Sequence, residues 1–129
     1  MPLPMAASPV RCGFPSPASD YSVSRIDLAR ELIQHPLCTF VLRLSGDSMQ
    51  DAGMFDGNIL LVDKILAPKH GDIVVAEVDG EFTCKRLLKV DGQYILHPEN
   101  PDYPDIYPKE GQHIEVWGVV TSCIKRFCT

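Results

Sequence analysis

From residue 39 onward, short apolar runs with a period of two are separated by turn residues. Such runs are typical of β-strands. They predict six strands, over residues 40–44, 58–63, 73–78, 81–88, 93–96 and 114–121. Asp79-Gly80 and Asp91-Gly92 join consecutive runs and predict tight hairpins, because Asp tolerates a left-handed backbone and Gly adopts one without strain. The pattern therefore predicts a mainly β fold, a compact and mostly antiparallel domain.

The first 22 residues follow a different pattern. They contain five prolines and several serines, a composition that disfavours a helix or a central strand. We expect a flexible, extended N-terminal arm with little structure of its own. The predicted organisation is an arm over residues 1–22 and a β domain over residues 23–129.

One short helix is predicted just after the arm. Ser24 can cap its N-terminus, with Asp27 three residues later, and Pro36 prevents its continuation. The apolar residues that would share one helical face are Ile26, Ala29, Leu32 and Ile33. This spacing predicts about three helical turns.

The chain is acidic, with 12 Lys and Arg against 17 Asp and Glu in 129 residues and a formal net charge of −5. Proteins that bind nucleic-acid backbones usually present a basic surface, so we expect no direct DNA binding. The longest apolar stretches, such as Ile59–Val62, fall far short of the roughly 20 residues that cross a bilayer. The N-terminus also lacks the basic and apolar segments of a signal peptide. We expect a cytoplasmic protein without membrane contact.

The cysteines are odd in number and scattered, which favours reduced thiols over a disulfide framework. They are Cys12, Cys38, Cys84, Cys123 and Cys128. An alternative interpretation is a metal site built from Cys123 and Cys128 with His97 or His113. The spacing of the two cysteines is looser than that of zinc motifs. We therefore expect neither a metal nor another cofactor.

Two segments offer residues for catalysis. Ser48 lies in a turn of small residues just past a predicted strand, where its hydroxyl and nearby N–H groups can be exposed, although the same composition is common in ordinary turns. Lys85 lies mid-strand between apolar neighbours, and burial there would lower its pKa towards that of a usable base. Lysines in strands are more often solvated, as the adjacent Arg86 suggests. Thr83 shares the face of Lys85 because side chains alternate along a strand.

Several motifs together resemble the LexA/UmuD family of self-cleaving serine/lysine peptidases, and most closely its UmuD branch. They are Ser45-Gly-Asp-Ser-Met49, the strand from Gly71 to Lys85, Cys12-Gly-Phe-Pro-Ser-Pro-Ala18 and Val116-Trp-Gly-Val-Val120. Each motif is weak alone, but together and in this order they are specific, and they run from about residue 12 to residue 120.

The resemblance implies a role for each matching residue. Ser48 would be the nucleophile, Lys85 the general base, and Cys12-Gly13 the bond that is cut. Backbone N–H groups around Asp47 and Ser48 would stabilise the oxyanion. Independently of the resemblance, the position of Thr83 on the face of Lys85 would let its hydroxyl orient the amine.

The resemblance also implies a biological role in the SOS response to DNA damage. Self-cleavage would be stimulated by the RecA filament on single-stranded DNA. The processed form, a homodimer, would act as a regulatory subunit of an error-prone, UmuC-like DNA polymerase of the Y family in translesion synthesis.

The sequence also supports alternatives. Only 12 residues precede the expected cleavage site, and Arg11 stands where an uncharged residue is common in the family. A second hypothesis is therefore an interaction module of the same fold that regulates a polymerase but does not cleave itself. A LexA-like repressor would need a helix-turn-helix domain upstream, for which the chain offers no room. A signal peptidase would need a membrane anchor, and the sequence contains no segment of that kind. The sequence leaves open whether cleavage occurs within one chain or between two.

Overall fold

The computed structural model describes residues 1–10, 23–109 and 114–128. The chain divides into two compact units, Met1–Gln34 and His35–Thr129. The sequence places the boundary earlier, after residue 22. The difference arises because residues 23–27 pair with the N-terminal strand and so belong to the first unit. The predicted cleavage bond, Cys12-Gly13, lies outside the described residues.

The first unit is a two-stranded antiparallel sheet followed by one helical turn. Strand β1 (Pro2–Ala6) pairs with strand β2 (Val23–Asp27), and helix α1 spans Leu28–Leu32. The expectation of an arm with little structure is therefore wrong for residues 2–6. Prolines are tolerated in these residues because both strands of a two-stranded sheet are edge strands.

The helix is shorter than predicted and begins later. Residues 24–27 are extended, and Asp27 rather than Ser24 caps the helix by accepting a hydrogen bond from the N–H of Arg30 at 3.3 Å. Residues 23–27 show no strict alternation, and Ile26 continues the helical spacing of Ala29 and Leu32. They are extended because they pair with β1.

The second unit is a six-stranded antiparallel sheet. Its strands are β3 (Thr39–Arg43), β4 (Ile59–Asp63), β5 (Ile73–Val78), β6 (Glu81–Val90), β7 (Gln93–His97) and β8 (Ile114–Ile124). Their order across the sheet is β3-β4-β8-β5-β6-β7. Single 3-10 turns occupy Pro36–Cys38 and Gln50–Ala52. The predicted mainly β, antiparallel fold with one short helix is confirmed.

Both predicted hairpins are present. Asp79 and Gly80 have φ values of 49° and 85°, and Asp91 and Gly92 have values of 50° and 77°. Positive φ at both central residues is the signature of a type I′ turn, whose twist matches that of the flanking strands. These turns fix the registers of β5 with β6 and of β6 with β7, and thus the position of Lys85.

The sheet carries apolar clusters that draw on alternate residues of β5. Val75 packs in a cluster with Met49, Leu60 and Val62, while its neighbours Val74 and Ala76 belong to a second cluster with Leu87 and Leu96. A Cβ on Gly118 would lie 2.6 Å from a methyl of Val62, so close packing of β8 on β4 requires glycine there. No helix in the described ranges is long and apolar enough to cross a membrane.

Candidate active site

Lys85 is placed by the regular pairing of β6. It lies opposite Val74 of β5, and only 8% of its surface is exposed. The hairpin at Asp79-Gly80 sets this register, and strand alternation places Thr83 on the same side of β6 as Lys85. The ordinary expectation for a strand lysine, a solvated ammonium, therefore does not hold at this position.

Ser48 is placed by an irregular loop that follows β3. Gly46 adopts a φ of 91° and its N–H donates to Asp56 Oδ1 at 2.8 Å. Met49, the next residue after Ser48, is 1% exposed and anchors the loop in the core. Ser48 is thus held between a glycine turn and a buried side chain.

The two side chains meet. Lys85 Nζ lies 3.0 Å from Ser48 Oγ, 2.6 Å from Thr83 Oγ1 and 3.2 Å from the Cys84 carbonyl oxygen. An ammonium has three protons to donate and finds three acceptors here. A neutral amine retains two donors and turns its lone pair to the third partner, and when that partner is Ser48 it can accept the hydroxyl proton.

The surroundings of Lys85 favour its neutral form. Burial lowers the pKa of Lys85 below its usual value, because desolvation penalises the charged amine. Among the described residues, no carboxylate forms an ion pair with Nζ to offset this cost. Burial also raises the pKa of the neighbouring Cys84 thiol to about 11, so this residue supplies no thiolate.

Ser48 and Lys85 open onto a cleft of about 230 Å³. One wall comes from the end of β3 and the following loop, the other from the first half of β6. Residues that line it are Leu42, Arg43, Leu44, Ser45, Phe82 and Thr83. A second, apolar hollow beside Trp117 shares Leu42, Arg43 and Phe82 with the first. An extended peptide can lie along such a groove with its backbone close to Ser48.

The segment after β7 holds the Ser48 loop. Asn100 Nδ2 donates to the Asp47 carbonyl oxygen at 2.9 Å, and Tyr103 Oη donates to Asp47 Oδ1 at 2.5 Å. The Asp51 N–H donates to the Glu99 carbonyl at 2.8 Å, and Glu99 forms an ion pair with Arg86, the neighbour of Lys85. The sequence did not predict a role for these residues. The run Glu99-Asn-Pro-Asp-Tyr103 indicates a turn, but nothing in it reveals the partner loop.

The structure therefore brings together Ser48, Lys85, Thr83 and Asp47, all of which the sequence singled out. It does not assemble the alternative cysteine and histidine site. Cys123 donates to Asn58 Oδ1, His97 pairs with Asp105, and Cys128 is exposed. His113 lies outside the described residues. Within the described ranges, no three side chains of the metal-ligating types converge.

Comparison with known families decides the affiliation. A family profile described as Peptidase S24-like matches residues 4–121. The chain belongs to the Peptidase S24-like family. The family's pattern thus covers both halves of the site, the Ser48 loop and the Lys85 strand.

Individual relatives narrow the placement within the Peptidase S24-like family. Protein SamA of Salmonella typhimurium is 47% identical over 118 residues, which cover 90% of this chain and 81% of SamA. Protein ImpA of Escherichia coli is 46% identical over 125 residues, or 95% of this chain and 83% of ImpA. LexA repressor of Paracidovorax citrulli is 35% identical over 116 residues, or 90% of this chain and 51% of the repressor.

These matches confirm that the chain belongs to the predicted LexA/UmuD family and resembles its UmuD branch. The chain is therefore of the self-cleaving serine peptidase kind, and its UmuD-like relatives place it with the proteins of SOS mutagenesis.

Proposed function

We propose that this protein cleaves its own chain between Cys12 and Gly13, with Ser48 as the nucleophile and Lys85 as the general base. The observation that carries the proposal is the contact of 3.0 Å between Lys85 Nζ and Ser48 Oγ, at a buried lysine that forms no ion pair with a carboxylate of the described residues. A base must be near its neutral state to accept a proton, and burial moves Lys85 in that direction.

The first half of the reaction forms an acyl-enzyme. Neutral Lys85 accepts the hydroxyl proton of Ser48 while Ser48 Oγ attacks the carbonyl carbon of Cys12. The tetrahedral oxygen takes up the negative charge and needs N–H donors. The N–H groups of Asp47 and Ser48 suit this role, because neither donates to any of the described residues. When the intermediate collapses, the bond to Gly13 breaks and the Lys85 ammonium protonates the leaving amine.

The second half consumes one water. Lys85, neutral again, accepts a proton from water, whose oxygen attacks the Ser48 ester. The ester bond to Ser48 breaks, Ser48 regains its proton from Lys85, and residues 1–12 leave with a new carboxyl terminus at Cys12. Each chain offers one such bond, so the reaction acts as a switch rather than as a turnover enzyme.

The switch would serve SOS mutagenesis. In this proposal the RecA filament on single-stranded DNA favours the conformation in which the arm lies in the cleft, a shift between existing states. The shortened protein, as a homodimer in the cytoplasm, then regulates an error-prone, UmuC-like polymerase during translesion synthesis. The relation to SamA and ImpA supports this role.

Intact-mass spectrometry tests the proposal. The purified chain is incubated with RecA filaments assembled on single-stranded DNA, and separately at alkaline pH without RecA. Ser48→Ala and Lys85→Ala are treated in parallel. We expect wild type to yield a product that begins at Gly13, faster with RecA, and both variants to remain whole.

Each alternative result has a defined meaning. A different new N-terminus would overturn the assignment of the cleavage bond. A wild-type chain that stays whole under both conditions would instead favour the non-cleaving interaction module.

A further inference from the structure

The peptide bond between Asp47 and Ser48 is held from one side. Its carbonyl oxygen accepts hydrogen bonds from Asn100 Nδ2 at 2.9 Å and from the N–H of Gln50 at 3.2 Å. In a planar trans peptide the C=O and the N–H point in opposite directions. The Ser48 N–H therefore points away from Asn100, and none of the described residues accepts a hydrogen bond from it.

Asn100 is itself fixed in place. It is 4% exposed, and its other amide atom, Oδ1, accepts a hydrogen bond from the N–H of Asp102 at 2.9 Å. The donor and the acceptor of this amide are thus both used, which fixes which end faces Asp47. A buried amide that is satisfied at both ends resists rotation, because turning it over would leave two mismatched pairs.

We propose that Asn100 is a positioning residue for self-cleavage: by holding the Asp47 carbonyl, it fixes the peptide plane that aims the Ser48 N–H at the tetrahedral oxygen of the intermediate. This inference rests on the function proposed above. Asn100 itself touches neither the substrate bond nor the reacting atoms, and it acts only through the orientation of that peptide.

A second side chain, Tyr103, also forms a hydrogen bond to Asp47. Tyr103 Oη donates to the side chain of Asp47 at 2.5 Å, and the pKa of Tyr103 is raised by this hydrogen bond and by the Asp47 charge. Tyr103 orients the Asp47 side chain, whereas Asn100 orients its peptide. The Asp47 side chain branches from the Cα that precedes this peptide bond, and the peptide can rotate about the Cα–C bond while the side chain stays in place. Holding the side chain therefore does not determine the peptide plane. We therefore expect Tyr103 to matter less than Asn100.

The choice of substitution at Asn100 separates this role from simple packing. Asn100→Asp keeps the shape and the acceptor for Asp102, but it replaces the donor with an acceptor. A carboxylate at this place repels the Asp47 carbonyl and attracts the Ser48 N–H, which favours a flipped peptide. Asn100→Ala removes more volume but leaves the hydrogen bond from Gln50 intact. The proposal predicts a greater loss for Asp than for Ala, whereas a packing role predicts the opposite order.

The experiment measures first-order rates of self-cleavage by mass spectrometry between pH 7 and pH 10.5, without RecA. We expect the plateau rate to fall roughly 100-fold in Asn100→Asp, the scale of a lost oxyanion donor, and about 10-fold in Asn100→Ala. The pH midpoint of Asn100→Ala should match wild type, because Lys85 keeps its surroundings. Asn58→Asp is the matched control. The Asn58 side chain only accepts hydrogen bonds from described residues, Phe55 N–H and Cys123, so we expect a rate within 3-fold of wild type.

Each outcome bears on one claim. Plateau rates within 3-fold of wild type in both Asn100 variants, or a greater loss in Asn100→Ala, would overturn the inference while leaving the proposed function intact. A midpoint that moves towards that of free lysine would also overturn it, since the role would then be to bury Lys85. If Asn100→Asp does not fold, the rate and pH midpoint of Asn100→Ala decide. A wild-type chain that does not cleave removes the proposed function and this inference with it.

Discussion

The two halves of the site are positioned by different means. Lys85 lies in the middle of a ten-residue strand, and its location follows from the backbone ladder and a two-residue turn. Ser48 lies in a loop without regular backbone pairing, and side chains hold this loop: Asp56 of the same β3–β4 connection at Gly46, and Asn100 and Tyr103 from the segment after β7 at Asp47. The proposed base is thus placed by a strand and its hairpin, and the proposed nucleophile by side-chain hydrogen bonds to its loop.

This difference has an energetic consequence. The backbone of a strand residue is held by the hydrogen bonds of the sheet, which a side-chain substitution nearby does not remove. Such a substitution therefore moves the residue little. A loop that is held by a few side-chain hydrogen bonds loses its geometry when one donor is removed. We therefore expect the Ser48 side of the site to be sensitive to residues that do not touch substrate, and the Lys85 side to be sensitive mainly to groups that desolvate the amine or hydrogen-bond to it.

The largest expected effect comes from removing either reacting group. Lys85→Met and Ser48→Ala should each slow self-cleavage by at least about 1,000-fold, since the base and the nucleophile act as a unit. Lys89→Met is the matched control, because it makes the same change at an exposed lysine of the same strand. The measurement is the first-order rate of product formation at alkaline pH. Cleavage of Lys85→Met at more than a tenth of the wild-type rate would exclude Lys85 as the base.

The pH dependence is the next largest effect. The pKa of Lys85 is lowered by burial, so the reactive neutral amine gains population at a lower pH than that of a free lysine. Below the midpoint the rate should rise about tenfold for each pH unit and then level off. The folded pKa of Lys85 lies below the unfolded value of 10.5. The burial of Lys85 therefore makes its full destabilising contribution at pH values below the folded pKa, and this contribution disappears above pH 10.5. A flat rate profile would contradict the account.

A smaller effect is expected at Thr83. Thr83→Val keeps the shape but removes the oxygen that accepts a hydrogen bond from Lys85 Nζ at 2.6 Å. The rate should fall about tenfold at the plateau because the amine loses its orientation. The pH midpoint should move down, because an acceptor that favoured the ammonium is gone. Thr121→Val is the control, since the Thr121 hydroxyl donates to the Leu61 carbonyl instead. An upward shift of the midpoint would show that Thr83 does not stabilise the charged form.

The smallest effect on cleavage is expected at Asp63, which lies outside the site and accepts hydrogen bonds from the loop that follows β4. Burial alone would raise the pKa of Asp63, yet hydrogen bonds from His35 and from the N–H groups of Ile65 and Leu66 lower it below 3.8. The carboxylate therefore stabilises the fold above about pH 4, and the contribution is lost as the pH falls below that value.

Asp63→Asn should lower the free energy of unfolding at pH 7 by about 1–3 kcal/mol and leave the cleavage rate within 2-fold. Chemical denaturation at pH 7 and pH 3 measures the first quantity. Asp72→Asn is the control, because Asp72 caps a turn through an exposed hydrogen bond to the Lys69 N–H. A greater loss for Asp72→Asn, or an equal loss for Asp63→Asn at both pH values, would contradict this assignment.

The contrast between strand and loop also explains what the sequence predicts. Period-two runs and Asp-Gly turns predict the strands of the second unit and the shared face of Thr83 and Lys85. They do not predict that Asn100 holds Asp47, because the two residues are 53 positions apart and a long-range hydrogen bond leaves no local pattern. The meeting of Ser48 with Lys85 is implied by family resemblance, not by spacing. The extended conformation of residues 23–27 was not predicted, because Ile26 continues the helical spacing of Ala29 and Leu32 and only the pairing with β1 makes the segment a strand.

Labelling of Ser48 tests the pairing of loop and strand most directly, because it does not depend on how the N-terminal arm reaches the cleft. Wild type and Lys85→Met are exposed to a serine-directed fluorophosphonate across the alkaline pH range, and the modified residue is located by peptide mass spectrometry. We predict a single adduct at Ser48, which forms faster as the pH rises, and almost none in Lys85→Met. Equal labelling of Ser48 in the two proteins, or an adduct at another serine, would contradict the central claim that Lys85 activates Ser48.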